Sequence, residues 1–292
     1  MKTVIVDKNK IEIGIKNSGI TIDDQHIPFR LIDMLVLCGD MEIGTKTLIT
    51  LSKERIPVLI ISRNSKNFSL TLPLEAKNSD LKIQQYTSAT KNRLEFAKYF
   101  LEEKVKNHSK HLKSMGITTD TTNWLQKINN SENISRLLGV EGSFSRIYFK
   151  HYFSTLPKVL HKGKRSKNPP LDPVKAILSY LYTYFYNLIT ARLYIYGFDA
   201  SISYLHEPFR SHNGLSSDIL EIFRSEINKK VAQWFLDETL TSDDFTKKNG
   251  IFLRYESRKR LWKEIKEFGN SLMPKIDEEI ALLRSAISWK EH

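Results

Sequence analysis

Four residues in this chain have the types and spacing to act on a phosphodiester with the help of a metal ion. His206 sits in the loop SYLHEPFRSHNGLSS, which proline and glycine punctuate. Asp218 and Glu221 follow three residues apart in SSDILEIFR, a spacing that puts both on one face of a helix, with Arg224 one turn later. Glu141 interrupts the otherwise apolar RLLGVEGSFSRIYF; Gly142 leaves room for a close approach, and Ser145 and Tyr148 share the face of Glu141. Carboxylates with one imidazole suit a hard divalent cation, Mg2+ or Mn2+, better than zinc. Beside a phosphate, such an ion polarises the phosphoryl oxygen and activates an attacking hydroxyl. Each residue also has a plain structural reading. Asp218 suits the first turn of a helix capped by Ser216 or Ser217, where the dipole favours an acid. The acid pair lies opposite an apolar stripe of Ile219, Leu220, Phe223 and Ile227, facing solvent or a cleft. Glu141 has Arg136 and Arg146 within salt-bridge spacing.

The rest of the chain suits a polyanionic partner. Its 292 residues carry a formal net charge of +12 and a pI of about 9.5, which points to nucleic acid or, failing that, to a surface kept basic for solubility. PKVLHKGKRSKNPP contains no acid, and its Lys162, Lys164, Arg165 and Lys167 form either a grip for a DNA backbone or a solvated loop. A second basic run, RYESRKRLWK, contains Arg258, which with Arg146 and Arg224 completes the set of residues expected to contact DNA. Tyr180, Tyr182, Tyr184 and Tyr186 alternate, so they cannot form one helical face; most belong to the core, and an exposed one could stack on a base. The single cysteine, Cys38, excludes an internal disulfide and reads as a small buried hydrophobe. MKTVIVDKNK lacks the apolar core of a signal peptide. SYLYTYFYNLITARLYIYGF is broken by Asn187 and Arg192 and reads as a buried helix rather than a membrane span. The expectation is a soluble, cytoplasmic protein with no membrane partner.

The elements that must position these residues fall into two groups. KTVIVD, KIEIGIK, SGITID, DMLVLCGD, PVLIIS and FSLTLPL read as strands, the fourth and fifth as continuous apolar runs covered on both faces. TKTLITLSKER, with a threonine cap, is one helix inserted among them. AKNSDLKI reads as a polar linker. Beyond it the period turns helical: Arg93 to Met115, then the segment around Glu141, then a helix opened by Asp172 and Pro173 and closed at Gly197, then the segment of Asp218 and Glu221, then a long last helix. The fold class is α+β: a small β-sandwich-like N-terminal domain over 1–76 with one inserted helix, a linker and the start of the first long helix over 77–92, and a larger all-α catalytic domain over 93–292.

LLGVEGSFSRIYF, KNPPLDPVKAILSYLY, YGFDASISYLHEPFRSHNGLSSDILEIFR and FTKKNGIFLRYESRKRLW occur in the order and separations of one family. The chain resembles the CRISPR spacer-acquisition integrase, CRISPR-associated protein one, over almost its whole length. The resemblance implies that Glu141, His206 and Glu221 are metal ligands for Mg2+ or Mn2+, that Asp218 supports them, and that Arg146 and Arg224 fall on basic positions the family often keeps. It also implies dimerisation through the β-domain and a small partner, CRISPR-associated protein two, set between two dimers. The implied reaction is transesterification: the 3′-OH ends of a short spacer-precursor duplex are joined to the CRISPR repeat. The same site using water would nick branched DNA, and a non-catalytic DNA-binding scaffold is the reading from another class. Lys175 stands where the family usually has Asn, Ala200 where it has Pro, and Asn228 at a position more often acidic.

Overall fold

The computed structural model describes residues 2–9, 11–39, 41–62, 67–73, 78–163, 169–207 and 212–289. Two four-stranded sheets form the N-terminal region. The first joins β1 (Lys2–Asp7), β5 (Ile32–Cys38), β7 (Val58–Ile61) and β8 (Phe68–Thr71) in the order β1-β5-β7-β8, parallel except for the last pair. The second joins β2 (Glu12–Lys16), β3 (Gly19–Ile22), β4 (Gln25–Pro28) and β6 (Glu42–Ile43) in the order β4-β3-β2-β6. The turns β2-β3 and β3-β4 are two residues long, Asn17-Ser18 and Asp23-Asp24, and all four residues have positive φ, as tight hairpins with native twist require.

β5 shows why its sequence is apolar without alternation. Leu35 and Leu37 face the second sheet and pack with Ile13, Ile20 and Leu51, whereas Met34, Val36 and Cys38 face the helices. Successive side chains in a strand point to opposite faces, and here both faces are covered. The single inserted helix, α1 (Thr45–Lys53), is present, but its N-cap is Gly44, with no side-chain cap; Thr47 instead donates to the carbonyl of Ile13.

The helical part is larger: α2 (Ser79–Lys91), α3 (Arg93–Ser114), α4 (Thr121–Asn129), α5 (Ile134–Ser154), α6 (Pro173–Ile195), α7 (Gly214–Leu236) and α8 (Tyr255–Trp289). Three features differ from expectation. The linker is shorter, because Asn78 caps α2 by accepting from the Leu81 N–H and helix begins within the polar stretch. α4 is a further short helix, capped by Asp120. A two-stranded hairpin, β9 (Phe245–Lys247) with β10 (Ile251–Leu253), interrupts the otherwise all-α part. The start of α6 is as expected: Asp172 accepts from the Lys175 N–H, Pro173 opens the helix, and Gly197 at φ 92° follows its end. Among the described residues no helix is long and apolar enough to cross a membrane.

Candidate metal centre

α7 carries Asp218 and Glu221, and its packing decides what those acids can do. The helix runs through the middle of the helical part, against α3 and α6, and is buried nearly all round. An acid on such a helix must be paired or hydrogen-bonded. The expectation of a solvent- or cleft-facing acid pair is therefore corrected: Asp218 is 0% exposed and Glu221 4%. So is the capping reading. α7 begins at Gly214, so Asp218 lies beyond the first turn. Its carboxylate instead accepts the backbone N–H groups of Tyr204 and Leu205 at Oδ2 (2.7 and 3.1 Å) and that of His206 at Oδ1 (3.1 Å).

The same Oδ1 lies 2.7 Å from Nδ1 of His206. A carboxylate can only accept there, so the ring carries its proton on Nδ1 and presents the Nε2 lone pair outward, the tautomer a metal ligand needs. The loop backbone is fixed from the other side as well. The carbonyl of His206 accepts from Ser203 Oγ (2.9 Å) and from Arg93 (3.3 Å). Nε2 of His206 lies 3.9 Å from Oε1 of Glu221, the same oxygen that Arg224 meets at 3.0 Å.

Glu141 reaches this group through a residue that sequence reasoning missed. Lys104 on α3 is 3% exposed, and its ammonium contacts Oε1 of Glu141 and lies 2.7 Å from Oε2 of Glu221. Ser145 donates to Glu141 at 2.7 Å, in keeping with their shared face. The plain reading of Glu141 as a partner of Arg136 does not hold, because Arg136 pairs with Glu132. A signal for Lys104 was present. It falls in the apolar stripe of α3, three residues after Leu101 and four before His108, where a lysine requires a buried partner.

Charge follows from this arrangement. Burial would raise the Glu221 carboxyl, but Arg224, Lys104 and His206 outweigh it and hold it well below the ordinary carboxylate range. Burial likewise opposes ionisation of Glu141, and Lys104 reverses the effect. Burial would lower the His206 imidazole, yet the hydrogen bond to Asp218 and the charges of Asp218 and Glu221 raise it. Among the described residues no three His, Cys, Asp or Glu side chains are grouped closely enough to hold a metal as they stand. His206 and Glu221 meet directly; Glu141 joins them across Lys104. The donor chemistry nonetheless fits a hard cation. Two ionised carboxylates already share one cationic neighbour, and Oε2 of Glu221 is buried and charge-paired without a well-formed hydrogen bond.

A family model, CRISPR associated protein Cas1, matches residues 2–267. The chain belongs to the Cas1 family. Members of that family are metal-dependent nucleases, and the role of this one is that of a DNA integrase and endonuclease in CRISPR spacer acquisition. It is 28% identical over 284 residues to a CRISPR-associated endonuclease Cas1 of Thermodesulfovibrio yellowstonii, a match spanning 90% of this chain and 89% of the relative. A solved CAS1 protein from Thermotoga maritima has the same fold, with a TM-score of 0.90 at 20% identity over 99% of this chain and 97% of that one. A casposase bound to integration product also shares it, with a TM-score of 0.83 at 22% identity over 98% and 91%.

The basic residues expected to touch DNA divide in this Cas1 fold. Arg146 and Lys162 are exposed, on α5 and in the loop after it. Lys164, Arg165 and Lys167 lie outside the described residues. Arg224 is 17% exposed, faces Glu221 and covers the ring of Tyr182 at 4.8 Å. Arg258 is a correction. It is 0% exposed, bonded at Nε and Nη2 to both oxygens of Asp7 and at Nη1 to the carbonyl of Ser62, so it cannot reach a phosphate and ties α8 to β1. Lys175, the departure from the family's Asn, turns back to Asp172 at 3.1 Å. His212 is a further neighbour that sequence reasoning passed over. It stacks on Tyr186 and hydrogen-bonds Ser217 at 3.0 Å, with its ring 6.3 Å from that of His206.

Proposed function

We propose that Glu141, His206 and Glu221 hold one Mg2+ or Mn2+ ion and that the chain uses it to join the 3′-OH ends of a short spacer-precursor duplex to a CRISPR repeat. The observation that carries this reading is the seating of His206. Four hydrogen bonds to Asp218 spend that carboxylate on orienting the loop and on fixing the Nε2 lone pair beside Glu221. When bound, the ion supplies charge stabilisation at the attacked phosphate and lowers the pKa of the attacking hydroxyl. The protein residues do the rest. His206 and Glu221 are presented on a pinned loop and a buried helix. Glu141, more open than Glu221, reaches in from α5. Asp218 positions without touching the substrate. Arg224 balances the charge of Glu221.

In the reaction the 3′-oxygen forms a bond to phosphorus, and the bond to the 3′-oxygen of the repeat strand breaks. The leaving oxygen takes up a proton and becomes a new 3′-hydroxyl. With water as nucleophile the same groups would instead cut DNA, and a nuclease acting on branched DNA is the alternative reading. Arg146, Lys162, Lys164, Arg165 and Lys167 hold duplexes whose backbones repel one another. The assembly is two homodimers, paired through the N-terminal domain over 1–76, with CRISPR-associated protein two between them, acting in the cytoplasm. A plasmid-integration assay with the partner protein, with and without divalent metal, tests this. Metal-dependent joining supports it. Cutting without joining favours the nuclease reading, and binding without either favours a scaffold.

A further inference from the structure

Among the described residues Lys104 is the one buried ammonium, and it touches both carboxylates of the proposed ligand set, yet that set gives it no role. Resting on the metal-site reading above, we propose that Lys104 is an internal stand-in cation: its ammonium holds the seat between Glu141 and Glu221, and the divalent ion enters by displacing it.

Three observations support exchange rather than coexistence. First, the ammonium is within contact distance of both carboxylates, so it lies in the space between them that a shared ion takes. A divalent ion and an ammonium this close would repel strongly in a buried site. Second, only the side chain is free to move. The Lys104 carbonyl accepts the Nδ1–H of His108 at 2.8 Å inside α3, which packs along α7. The stem has four rotatable carbons, and the site opens to solvent on the side of Glu141 and His206, whose side chains are 22% and 33% exposed, against 6% for Glu221. Third, the lysine has a physical reason to exist. Two ionised carboxylates that share a buried pocket repel each other, and a single positive charge keeps the pair ionised and pre-formed before any ion arrives.

The exchange has a consequence for DNA. A displaced ammonium must find another anion, and at the open edge of the site that anion is a phosphate of the bound duplex. DNA therefore favours the metal-loaded arrangement, and by reciprocity the metal favours DNA. The free protein carries a site partly closed to metal, so its hydrolytic chemistry is held back until a duplex is in place.

The experiment is calorimetric titration of the full chain with Mn2+ alone, comparing the wild type with Lys104→Met, Lys104→Gln and Lys104→Arg. Removing the charge in the first two is expected to tighten Mn2+ binding by about tenfold or more, while Lys104→Arg stays near the wild type. Folding is checked by circular dichroism, and the Mn2+-induced rise in melting temperature provides a second readout that is expected to be larger in the Gln variant. Wild-type or weaker Mn2+ binding in folded Met and Gln variants overturns the proposal and makes Lys104 a fixed support. Repeating the titration with a duplex carrying dideoxy 3′ ends tests the coupling. The duplex should tighten Mn2+ binding more in the wild type than in Lys104→Met, and equal tightening overturns that part. No saturable Mn2+ binding by any form, with or without duplex, would instead sink the metal-site reading itself.

Discussion

Asp218 accepts the Nδ1–H of His206 at 2.7 Å while the same carboxylate accepts three consecutive backbone N–H groups, those of Tyr204, Leu205 and His206. One buried acid thus sets both the path of the loop and the tautomer of the ring. Asp218→Asn replaces one acceptor oxygen with a donor and cannot satisfy all four. Metal-dependent joining should fall by about 10–100-fold, the usual cost of losing a group that orients a metal ligand. The pH profile separates this from general unfolding. Asp218 raises the His206 pKa, and a protonated imidazole cannot ligate, so activity is lost as pH falls through that value. Without the raise, the acid limb should move to lower pH; an unmoved limb would remove Asp218 from this role.

Glu221→Ala removes a carboxylate buried against Lys104, Arg224 and His206. Joining of a 3′-OH oligonucleotide to a repeat-containing plasmid should be abolished, and duplex binding in a gel-shift assay largely kept. Full joining by this variant would refute the ligand assignment.

Changing Lys162, Lys164, Arg165 and Lys167 to Ser should weaken duplex binding and flatten its salt dependence. Each lost phosphate contact lowers the slope of log K against log salt by about 0.9. A slope unchanged from the wild type returns this segment to a solvated loop.

Asp7 and Arg258 form a buried bidentate pair, and Trp262 donates to the same carboxylate at 2.6 Å. Asp7→Ala leaves a guanidinium at 0% exposure without its counter-ion. The expected loss is about 3–5 kcal/mol of stability, measured as a lower urea midpoint. An unchanged urea midpoint would show that the pair does not hold α8 to β1.

His108 and His111 are held neutral, chiefly by burial, with pKa values pushed down to about 3 and about 4. In the unfolded chain both take up a proton near their ordinary pKa of about 6.5. The unfolded state therefore binds more protons as pH drops below that value, and stability should decline from about pH 6.5 toward pH 4. Urea unfolding at several pH values should show the decline, and His108→Leu should make it shallower.

Much of the frame was legible in residue patterns. Alternation and continuous apolar runs marked most of the strands, and the Asp172-Pro173 start and Gly197 end bracketed α6, because caps, turns and periodicity are local properties of the backbone. The strands β4 and β6 and the β9-β10 hairpin were missed because two to four residues carry too little pattern to read.

The identities of the candidate ligands were also in the sequence, as acid, imidazole and acid in a basic chain: Glu141, His206 and Glu221. What surrounds them was not. Whether Asp218 caps a helix or holds His206, whether Arg258 meets DNA or Asp7, and whether Lys104 lies on a surface or between two carboxylates depends on which distant elements pack together. Asp218 lies 12 residues from His206, Glu141 lies 37 from Lys104, and Arg258 lies 251 from Asp7. Burial decides the fate of a charge, and a residue's own neighbours in sequence do not set burial. Types and spacing determined which atoms were available for chemistry. Only the packing of α3, α5 and α7 decided which of them face one another and which cation sits among them.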